Sequence, residues 1–220
     1  QKIDFLIIQK FNINFSKKSY LDFIQKIIYK KLNCKFLFVS KNFKFGKNRK
    51  GDIKKLKLLE DKFKYKTVIT NPCKKGNKII SSTTIRKLIS QGKIEEANIF
   101  LNRSWSIRGK VIEGKKRGRT IGFPTCNIEL KDYIRPKIGV YSVYIRNKYF
   151  LKKGIANIGY RPTFKGQKIL LEVNIFGINK NLYKSVLNIN FKKFIRSEKK
   201  FKNIKELKKQ IIKDIKKSKK

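Results

Sequence analysis

A glycine-rich basic segment at 114–127 combines the residue types best suited to binding a polyphosphate. It has the sequence GKKRGRTIGFPTCN, in which three glycines stand four residues apart among four basic side chains. Glycine lets backbone N–H groups approach phosphate oxygens closely, and the basic side chains offset phosphate charge. The spacing matches neither a Walker P-loop nor a dinucleotide-binding fingerprint. The spacing alone leaves two interpretations, a phosphate-binding segment or a long glycine-rich hairpin.

Thr125 and Asn127 are two residues apart at the end of this segment. In an extended chain, residues two apart point to the same side. A hydroxyl and an amide oxygen on one side suit Mg²⁺, a hard cation that keeps most of its waters and phosphate ligands. In the alternative interpretation, Asn127 serves a turn.

Glu172 is a carboxylate in the middle of an apolar stretch, LLEVNIF. Alternation places Glu172, Asn174 and Phe176 on one face of a strand and the apolar residues on the other. Glu172 therefore faces either solvent or a cavity. Because the chain has no histidine, a carboxylate is the natural proton acceptor for an alcohol nucleophile.

The segment at 157–164 (NIGYRPTF) predicts a loop that places polar and aromatic groups together. The alternative interpretation is a simple turn after a strand.

The absence of certain residue types excludes several classes of protein. With no histidine, no mechanism based on a histidine base or metal ligand is available within the chain. Three widely spaced cysteines exclude a disulfide framework and a CxxC metal site, and we expect a reducing, cytoplasmic location. No apolar run has the length of a membrane span, and no secretory signal is present. Methionine is absent even at position 1, so we expect Gln1 to be a cut or processed end.

The net charge of +44 is evenly distributed along the chain. Residues 1–103 carry a net +19 and residues 104–220 a net +25. Lysine, isoleucine, asparagine and phenylalanine, which all have A/T-rich codons, are abundant together, and this favours a genomic composition bias over an evolved nucleic-acid site. A basic RNA-binding protein remains an alternative, and some non-specific, salt-sensitive nucleic-acid binding is expected in either case.

Strand and helix patterns alternate in the first hundred residues, which favours a parallel α/β domain. The predicted strands are 3–8, 36–39 and 67–70, and the predicted helices are 20–32, 82–90 and 94–101. Ser82 or Thr83 would cap the helix at 82–90, and Gly92 would stop it. After Arg103, short strands separated by glycine and proline predict an antiparallel barrel or sandwich. These strands are 106–112, 139–146, 149–155, 169–176 and 186–191. Asn203 and Glu206 form a capping box that starts a C-terminal helix.

From Trp105 to the C-terminus, the sequence resembles the riboflavin kinase module of the bacterial bifunctional riboflavin kinase/FMN adenylyltransferase (FAD synthetase) family. The segments that carry the resemblance are GKKRGRTIGFPTCN, GVYSV, GIANIGYRPTF, LEVNIF and FIRSEKKF, in the family's order. The resemblance implies a small Greek-key β-barrel with a C-terminal helix, over residues 104–220. It also implies transfer of the γ-phosphoryl group of ATP to the 5′-hydroxyl of riboflavin, which gives FMN.

The same resemblance implies roles for individual residues. Glu172 would orient and deprotonate the ribityl hydroxyl, and Thr125 and Asn127 would meet Mg²⁺ and the phosphates. The residues implied for ATP binding are Gly114, Lys116, Gly118, Arg119, Gly122 and Pro124, and those implied for flavin binding are Arg196, Phe201 and Tyr141. Cys126 stands where the family usually has alanine. A flavin-holding module without catalysis is a further alternative, which the presence of Glu172, Thr125 and Asn127 together argues against.

Residues 1–103 resemble part of the family's adenylyltransferase domain, a Rossmann-like α/β nucleotidyltransferase. FKFGKNRKGD (43–52) and ISSTTIR (80–86) look like its later motifs, so Ser81, Ser82, Thr83 and Arg86 would be the remnant of a nucleotide site. The first strand and the histidine motif are missing, and Ser40 and Asn42 stand where the family usually has glycine and aspartate. We therefore do not expect adenylyl transfer from this chain alone, although a longer parent protein could make FAD.

Overall fold

The computed structural model describes residues 3–114, 117–130, 132–163, 166–178 and 180–219. The chain divides into two compact units, Gln1–Lys74 and Lys75–Lys220. Among the described residues, no helix is both long and apolar enough to cross a membrane.

The first unit contains short helices and a two-stranded parallel sheet. Its elements are α1 (Ile13–Ser16), α2 (Tyr20–Asp22), a π-helical segment (Phe23–Lys31), β1 (Phe36–Ser40), a 3₁₀ turn (Lys47–Arg49), α3 (Ile53–Leu58), α4 (Glu60–Phe63) and β2 (Lys66–Thr70). Strands β1 and β2 pair in parallel, from Phe36 opposite Lys66 to Ser40 opposite Thr70. The helix predicted over 20–32 and the strands predicted at 36–39 and 67–70 are confirmed. The small core of this unit includes Ile24, Ile28 and Leu56.

The strand predicted at 3–8 is wrong. This segment has no regular structure, and Phe5 is 88% and Ile8 84% exposed. An apolar run forms a strand only where a neighbouring strand can take up its backbone hydrogen bonds. Within the described part of the chain, none of the paired strands includes residues 3–8.

The second unit contains a six-stranded antiparallel sheet that nearly closes into a barrel. After a short ribbon of β3 (Lys74–Lys75) and β4 (Lys78–Ile79), its elements are α5 (Ser82–Ser90), α6 (Ile94–Leu101), β5 (Ser106–Lys110), α7 (Arg117–Thr120), β6 (Cys126–Glu129), β7 (Gly139–Arg146), β8 (Leu151–Thr163), β9 (Gly166–Ile175), β10 (Val186–Arg196) and α8 (Ile204–Lys219). The strand order is β5-β10-β7-β8-β9-β6. Because β10 returns beside β7 after the β7-β8-β9 meander, these four strands form a Greek key. The backbone N–H of Ile112 donates to the carbonyl oxygen of Asn127 (2.9 Å) and links the two sheet edges. The predicted fold, an α/β remnant followed by an antiparallel barrel with a C-terminal helix, is confirmed.

Helices α5 and α6 pack on the barrel core, because Leu88, Ile89 and Ala97 belong to the same buried cluster as the strands. Asn98 fixes α6: its Nδ2 donates to the carbonyl oxygen of Phe191 (2.9 Å), and its Oδ1 accepts from the backbone N–H of Trp105 (2.6 Å). Helix α5 is capped by Ser81, one residue before the two caps predicted from the sequence. The domain boundary expected between 103 and 104 stays a prediction.

Helix α8 is capped at its N-terminus and attached to the barrel near its C-terminus. Asn203 accepts a hydrogen bond from the backbone N–H of Glu206 (2.9 Å), as its capping role predicts. Near the other end, the Ser218 hydroxyl lies 2.9 Å from the Ser142 hydroxyl and donates to the carbonyl oxygen of Gly154 (3.1 Å). The helix therefore lies across strands β7 and β8 and covers one side of the sheet.

Candidate active site

A cavity of about 670 Å³ opens in the second unit between the sheet and α8. Its lining comes from the glycine-rich segment, strands β6–β10, the loop after β10 and one face of α8. The sheet side includes Asn127, Asn157 and Glu172 among apolar residues, and α8 contributes Ile204, Leu207, Ile211 and Asp214. A cavity of this size with a few convergent polar groups is the usual form of a small-molecule site.

A single row of paired residues crosses the floor of the cavity. Asn127 of β6 is the direct partner of Glu172 of β9, and Glu172 is the partner of Asn157 of β8. Asn157 in turn pairs with Val140 of β7, which pairs with Arg196 of β10. Directly paired residues lie on the same face of an antiparallel sheet, and all five line the cavity.

Glu172 lies near the centre of this row and is half-buried. Its neighbours Leu171 and Val173 are fully buried on the opposite face, in the barrel core. The predicted alternation along the strand is therefore confirmed. Glu172 was expected to face either solvent or a cavity, and in the structure it lines a cavity. Asn174, on the same face, donates from Nδ2 to the carbonyl oxygen of Pro124 (2.7 Å), which ties the glycine-rich segment to β9.

Within the glycine-rich segment, Arg117–Thr120 form the short helix α7. A Cβ on Gly118 would lie 2.3 Å from the carbonyl oxygen of Phe123, and a Cβ on Gly114 would lie 2.0 Å from Nδ2 of Asn127. Gly122 has φ +85°, a conformation that favours glycine. Glycine is therefore favoured by close packing at Gly114 and Gly118 and by the backbone conformation at Gly122, whatever ligand the segment binds.

Only some of the residues implied for ATP binding line the cavity. Gly118 lines it, together with Thr120, Ile121 and Phe123. Gly114, Arg119, Gly122 and Pro124 belong to the same segment but are not among the lining residues. Lys116 lies outside the described residues.

Thr125 and Asn127 both line the cavity, which agrees with their predicted common side. Asn127 is only 6% exposed, so its amide is held in place by its surroundings. The described residues contain no group of three or more His, Cys, Asp or Glu that could hold a metal ion. A divalent cation here would therefore take few protein ligands, which is the coordination that Mg²⁺ with a bound polyphosphate prefers. The neutral oxygen donors of Thr125 and Asn127 fit that role.

Of the three residues implied for flavin binding, two line the cavity and one does not. Arg196 and Phe201 line the cavity, with the Arg196 guanidinium 5.8 Å from the Phe201 ring centre. Tyr141 does not: it is fully buried in the barrel core, and its hydroxyl donates to the carbonyl oxygen of Lys137. The neighbour of Tyr141, Val140, faces the cavity, so strand alternation turns the tyrosine ring inward. Burial also raises the pKa of Tyr141.

Two residues that line the cavity with Glu172, Asn157 and Glu198, are not among the site residues predicted from the sequence. Nδ2 of Asn157 donates to Oε1 of Glu198 (3.4 Å), which brings a second carboxylate to the site. Gly159 leaves room for it, since a Cβ there would lie 2.3 Å from the same Glu198 oxygen. The segment at 157–164 is predicted as a loop or a turn, whereas residues up to Thr163 belong to β8, and the pairing of Asn157 with Glu172 depends on a strand register that local sequence does not encode.

The proposed nucleotide remnant lies at the start of α5. Ser81 caps the helix through the backbone N–H of Thr84 (3.1 Å), and Ser82, Thr83 and Arg86 are exposed. None of the four lines the cavity.

Comparison with known proteins agrees with this architecture. Residues 101–220 match the riboflavin kinase family, and residues 1–84 match the FAD synthetase family. The bifunctional riboflavin kinase/FMN adenylyltransferase of Buchnera aphidicola from Schizaphis graminum is 43% identical over 219 residues, covering 97% of this chain and 70% of the relative. The Bacillus subtilis enzyme of the same name is 40% identical over 215 residues, covering 95% of this chain and 67% of the relative.

A similar fold is also found among solved structures. The crystal structure of a macrolide-efflux protein from Streptococcus pneumoniae superposes with a TM-score of 0.82 at 29% identity, over 94% of this chain and 67% of that one. The chain thus spans about 70% of the length of its Buchnera relative, with its riboflavin kinase domain matched over 101–220 and its FAD synthetase domain matched only over 1–84. On this evidence the protein belongs to the bifunctional riboflavin kinase/FMN adenylyltransferase family.

Proposed function

We propose that the riboflavin kinase domain of this chain transfers the γ-phosphoryl group of ATP to the 5′-hydroxyl of riboflavin, giving FMN and ADP. The observation that carries the proposal is the position of Glu172. It lies on the cavity floor, between Asn127 and Asn157, beside a glycine-rich segment. A carboxylate in a cavity next to a phosphate-binding segment is the arrangement that phosphoryl transfer to an alcohol requires.

Glu172 is the proton acceptor in this reaction. As the phosphorus–oxygen bond to the ribityl hydroxyl forms and the bond to the ADP oxygen breaks, the hydroxyl proton passes to the carboxylate. Asn127 and Asn157 lie on either side of Glu172 in the sheet, within the rigid hydrogen-bonded ladder. The base is therefore held in place before the substrate binds, and positioning supplies most of the catalysis in phosphoryl transfer.

The glycine-rich segment binds the phosphates. Gly118 and Thr120 line the cavity at this end, and the missing side chain of Gly118 lets the segment pack closely against its own Phe123 carbonyl oxygen. Thr125 and Asn127 would hold Mg²⁺ here. The bound ion would neutralise phosphate charge and orient the terminal phosphoryl group.

The other end of the cavity binds the flavin. Ile204, Leu207 and Ile211 present an apolar wall that suits a flat aromatic ring system, and Phe201 adds an aromatic edge. Arg196 and Glu198 supply polar contacts at the same end. The flavin end therefore combines an apolar wall with charged side chains.

FAD formation is not proposed for this chain by itself. The FAD synthetase match covers residues 1–84 only, and the chain contains no histidine. The three free cysteines support a cytoplasmic location for the reaction.

The direct test incubates the chain with riboflavin, ATP and Mg²⁺ and separates the flavins by chromatography. The wild-type chain is expected to give FMN and no FAD. Glu172→Gln should lower turnover about 10²-fold or more, which is the scale of general-base removal. Glu113→Gln, the same change at an exposed position outside the cavity, is the matched control. Near-normal FMN production by Glu172→Gln would refute the assignment of the base, and absence of FMN from folded wild-type chain would refute the function.

A further inference from the structure

Arg196 is held at the cavity by a buried carboxylate on α8. Its Nε donates to both carboxylate oxygens of Asp214 (3.1 and 2.9 Å), and Nη2 lies 2.8 Å from Oδ2. The Asp214 side chain is 1% exposed and that of Arg196 is 14% exposed. Gln210, one turn earlier on α8, donates from Nε2 to Oδ1 of Asp214 (2.8 Å). The carboxylate is thus fixed from two sides, and the guanidinium fork is fixed by the carboxylate.

The backbone of β10 is shaped so that Arg196 reaches this partner. Two β-bulges, between Phe191 and Lys193 and between Phe194 and Arg196, shift the register of β10 by two residues. As a result Arg196, rather than Phe194, lies opposite Val140 and ends the row of cavity residues. Bulges of this kind re-aim side chains next to functional sites.

Arg196 also reaches the loop that follows it. Its Nη1 donates to the carbonyl oxygen of Ser197 (2.9 Å), and the guanidinium faces the ring of Phe201. The loop side chains Glu198, Lys199 and Phe201 all line the cavity. The Asp214–Arg196 pair therefore joins α8, the end of β10 and the cavity loop.

We propose that Asp214 is a positioning residue for the acceptor end of the site: it holds Arg196 and the loop after β10 in the geometry that binds the flavin. Asn127 and Arg196 are the two ends of the row of paired residues, on β6 and β10, with three strands between them in the sheet order. Arg196 therefore lies at the opposite end of the row from Asn127. This inference rests on the proposed function, because it assigns the flavin to that end of the cavity.

A purely structural role is the competing explanation. Buried ion pairs contribute little net stability, because desolvation of both charges offsets their attraction. Helix α8 already has a second attachment to the barrel, at Ser218. The structure therefore offers a control: Ser218→Ala loosens α8 without touching Arg196, whereas Asp214→Asn removes the charge that fixes Arg196.

The experiment measures riboflavin binding by fluorescence without ATP, steady-state constants for riboflavin and Mg·ATP, and the melting temperature of each variant. Asp214→Asn is expected to raise the Kd and KM for riboflavin about tenfold or more, the scale of a lost charge-assisted hydrogen bond. The KM for Mg·ATP should change less than about twofold, because the altered contacts lie at the other end of the cavity. Ser218→Ala should lower the melting temperature and leave riboflavin binding unchanged.

Two further variants keep the test decisive. Arg196→Gln with Asp214→Asn should bind riboflavin no more weakly than Arg196→Gln alone, because Asp214 acts through Arg196. Gln210→Leu leaves the ion pair in place but removes the second hydrogen bond to the Asp214 carboxylate. It should weaken riboflavin binding about two- to threefold, and it tests the proposal if Asp214→Asn does not fold. Additive effects in the double variant, or equal effects of Ser218→Ala and Asp214→Asn on riboflavin, would overturn the proposal. Wild-type chain that binds riboflavin without phosphorylating it would refute the kinase function alone, and wild-type chain that binds no riboflavin would refute both.

Discussion

Asn127 and Glu172 are direct partners in the ladder between β6 and β9, and both face the same cavity. The residue expected to meet the metal and the residue expected to accept the proton are thus neighbours across one pair of strands. They are 45 positions apart in the chain. This pairing joins the phosphate end of the site to the base.

Gly114 sets the position of Asn127. A Cβ at residue 114 would lie 2.0 Å from Nδ2 of Asn127, so Gly114→Ala must displace that amide. We expect kcat/KM for FMN formation to fall about 10²-fold, since small misplacements in an active site have effects of this size. The melting temperature should change little. Gly177→Ala lies outside the cavity, where a Cβ would meet nothing but a φ of +70° strains alanine, so it shows how backbone strain alone affects activity. Normal turnover of Gly114→Ala would show that the Asn127 amide is not needed where it lies.

Thr125 lies at the phosphate end of the cavity, on the same face as Asn127. Thr125→Ala should raise the KM for Mg·ATP about tenfold, equivalent to about 1.4 kcal/mol, with riboflavin affinity nearly unchanged. Initial rates at varied Mg·ATP and fixed riboflavin measure the effect. Equal losses for both substrates would point to a folding defect, which circular dichroism of the variant would reveal.

The cysteines should differ sharply in reactivity. Burial raises the pKa of Cys126 to about 11, whereas Cys73 is exposed. At pH 8 the thiolate fraction of Cys126 is then about 10⁻³, and the thiolate is the reactive form. With iodoacetamide at pH 8, Cys73 should be modified about 100-fold faster than Cys126, as followed by mass spectrometry. In guanidinium chloride the two rates should converge, and rapid modification of Cys126 in the native chain would contradict its burial in β6.

The pH dependence of stability should reflect the same thiol. Its folded-state pKa is raised from 9.0, so its contribution is fully present below about pH 9. Above that pH the unfolded chain ionises first, and stability is lost as the pH rises from about 9 to about 11. Cys126→Ala should lose less stability over this interval in urea titrations. An identical alkaline loss in both proteins would show that other groups are responsible.

Helices α5 and α6 should be required for the barrel to fold. Leu88, Ile89 and Ala97 are buried in the barrel cluster, and Asn98 satisfies the backbone groups of Phe191 and Trp105. A fragment of residues 104–220 would lose these contacts and should be less stable than a fragment of residues 75–220 by roughly 5 kcal/mol or more. Thermal and urea unfolding of the two fragments measure the difference. Equal stabilities would support a domain boundary between 103 and 104.

Local patterns in the sequence predicted most of the elements and one face of the site. The strands at 36–39 and 139–146 and the alternation around Glu172 follow from residue periodicity, which depends only on neighbours in the chain. The motifs from 114 to 201 likewise indicated the family and its riboflavin kinase domain. The sequence patterns were misleading where pairing with a distant segment decides the structure: residues 3–8, predicted as a strand, are irregular, and residues 157–163, predicted as a loop or a turn, belong to β8.

The sequence by itself therefore determined the family, the order of elements and the faces of the strands that carry Glu172, Thr125 and Asn127. Only the tertiary structure decided which of these faces meet. The row from Asn127 to Arg196 depends on the registers of four strand pairs, and the Asp214–Arg196 ion pair depends on where α8 crosses the sheet. Register and helix placement follow from the packing of the whole core, because contacts between residues far apart in the chain fix them together.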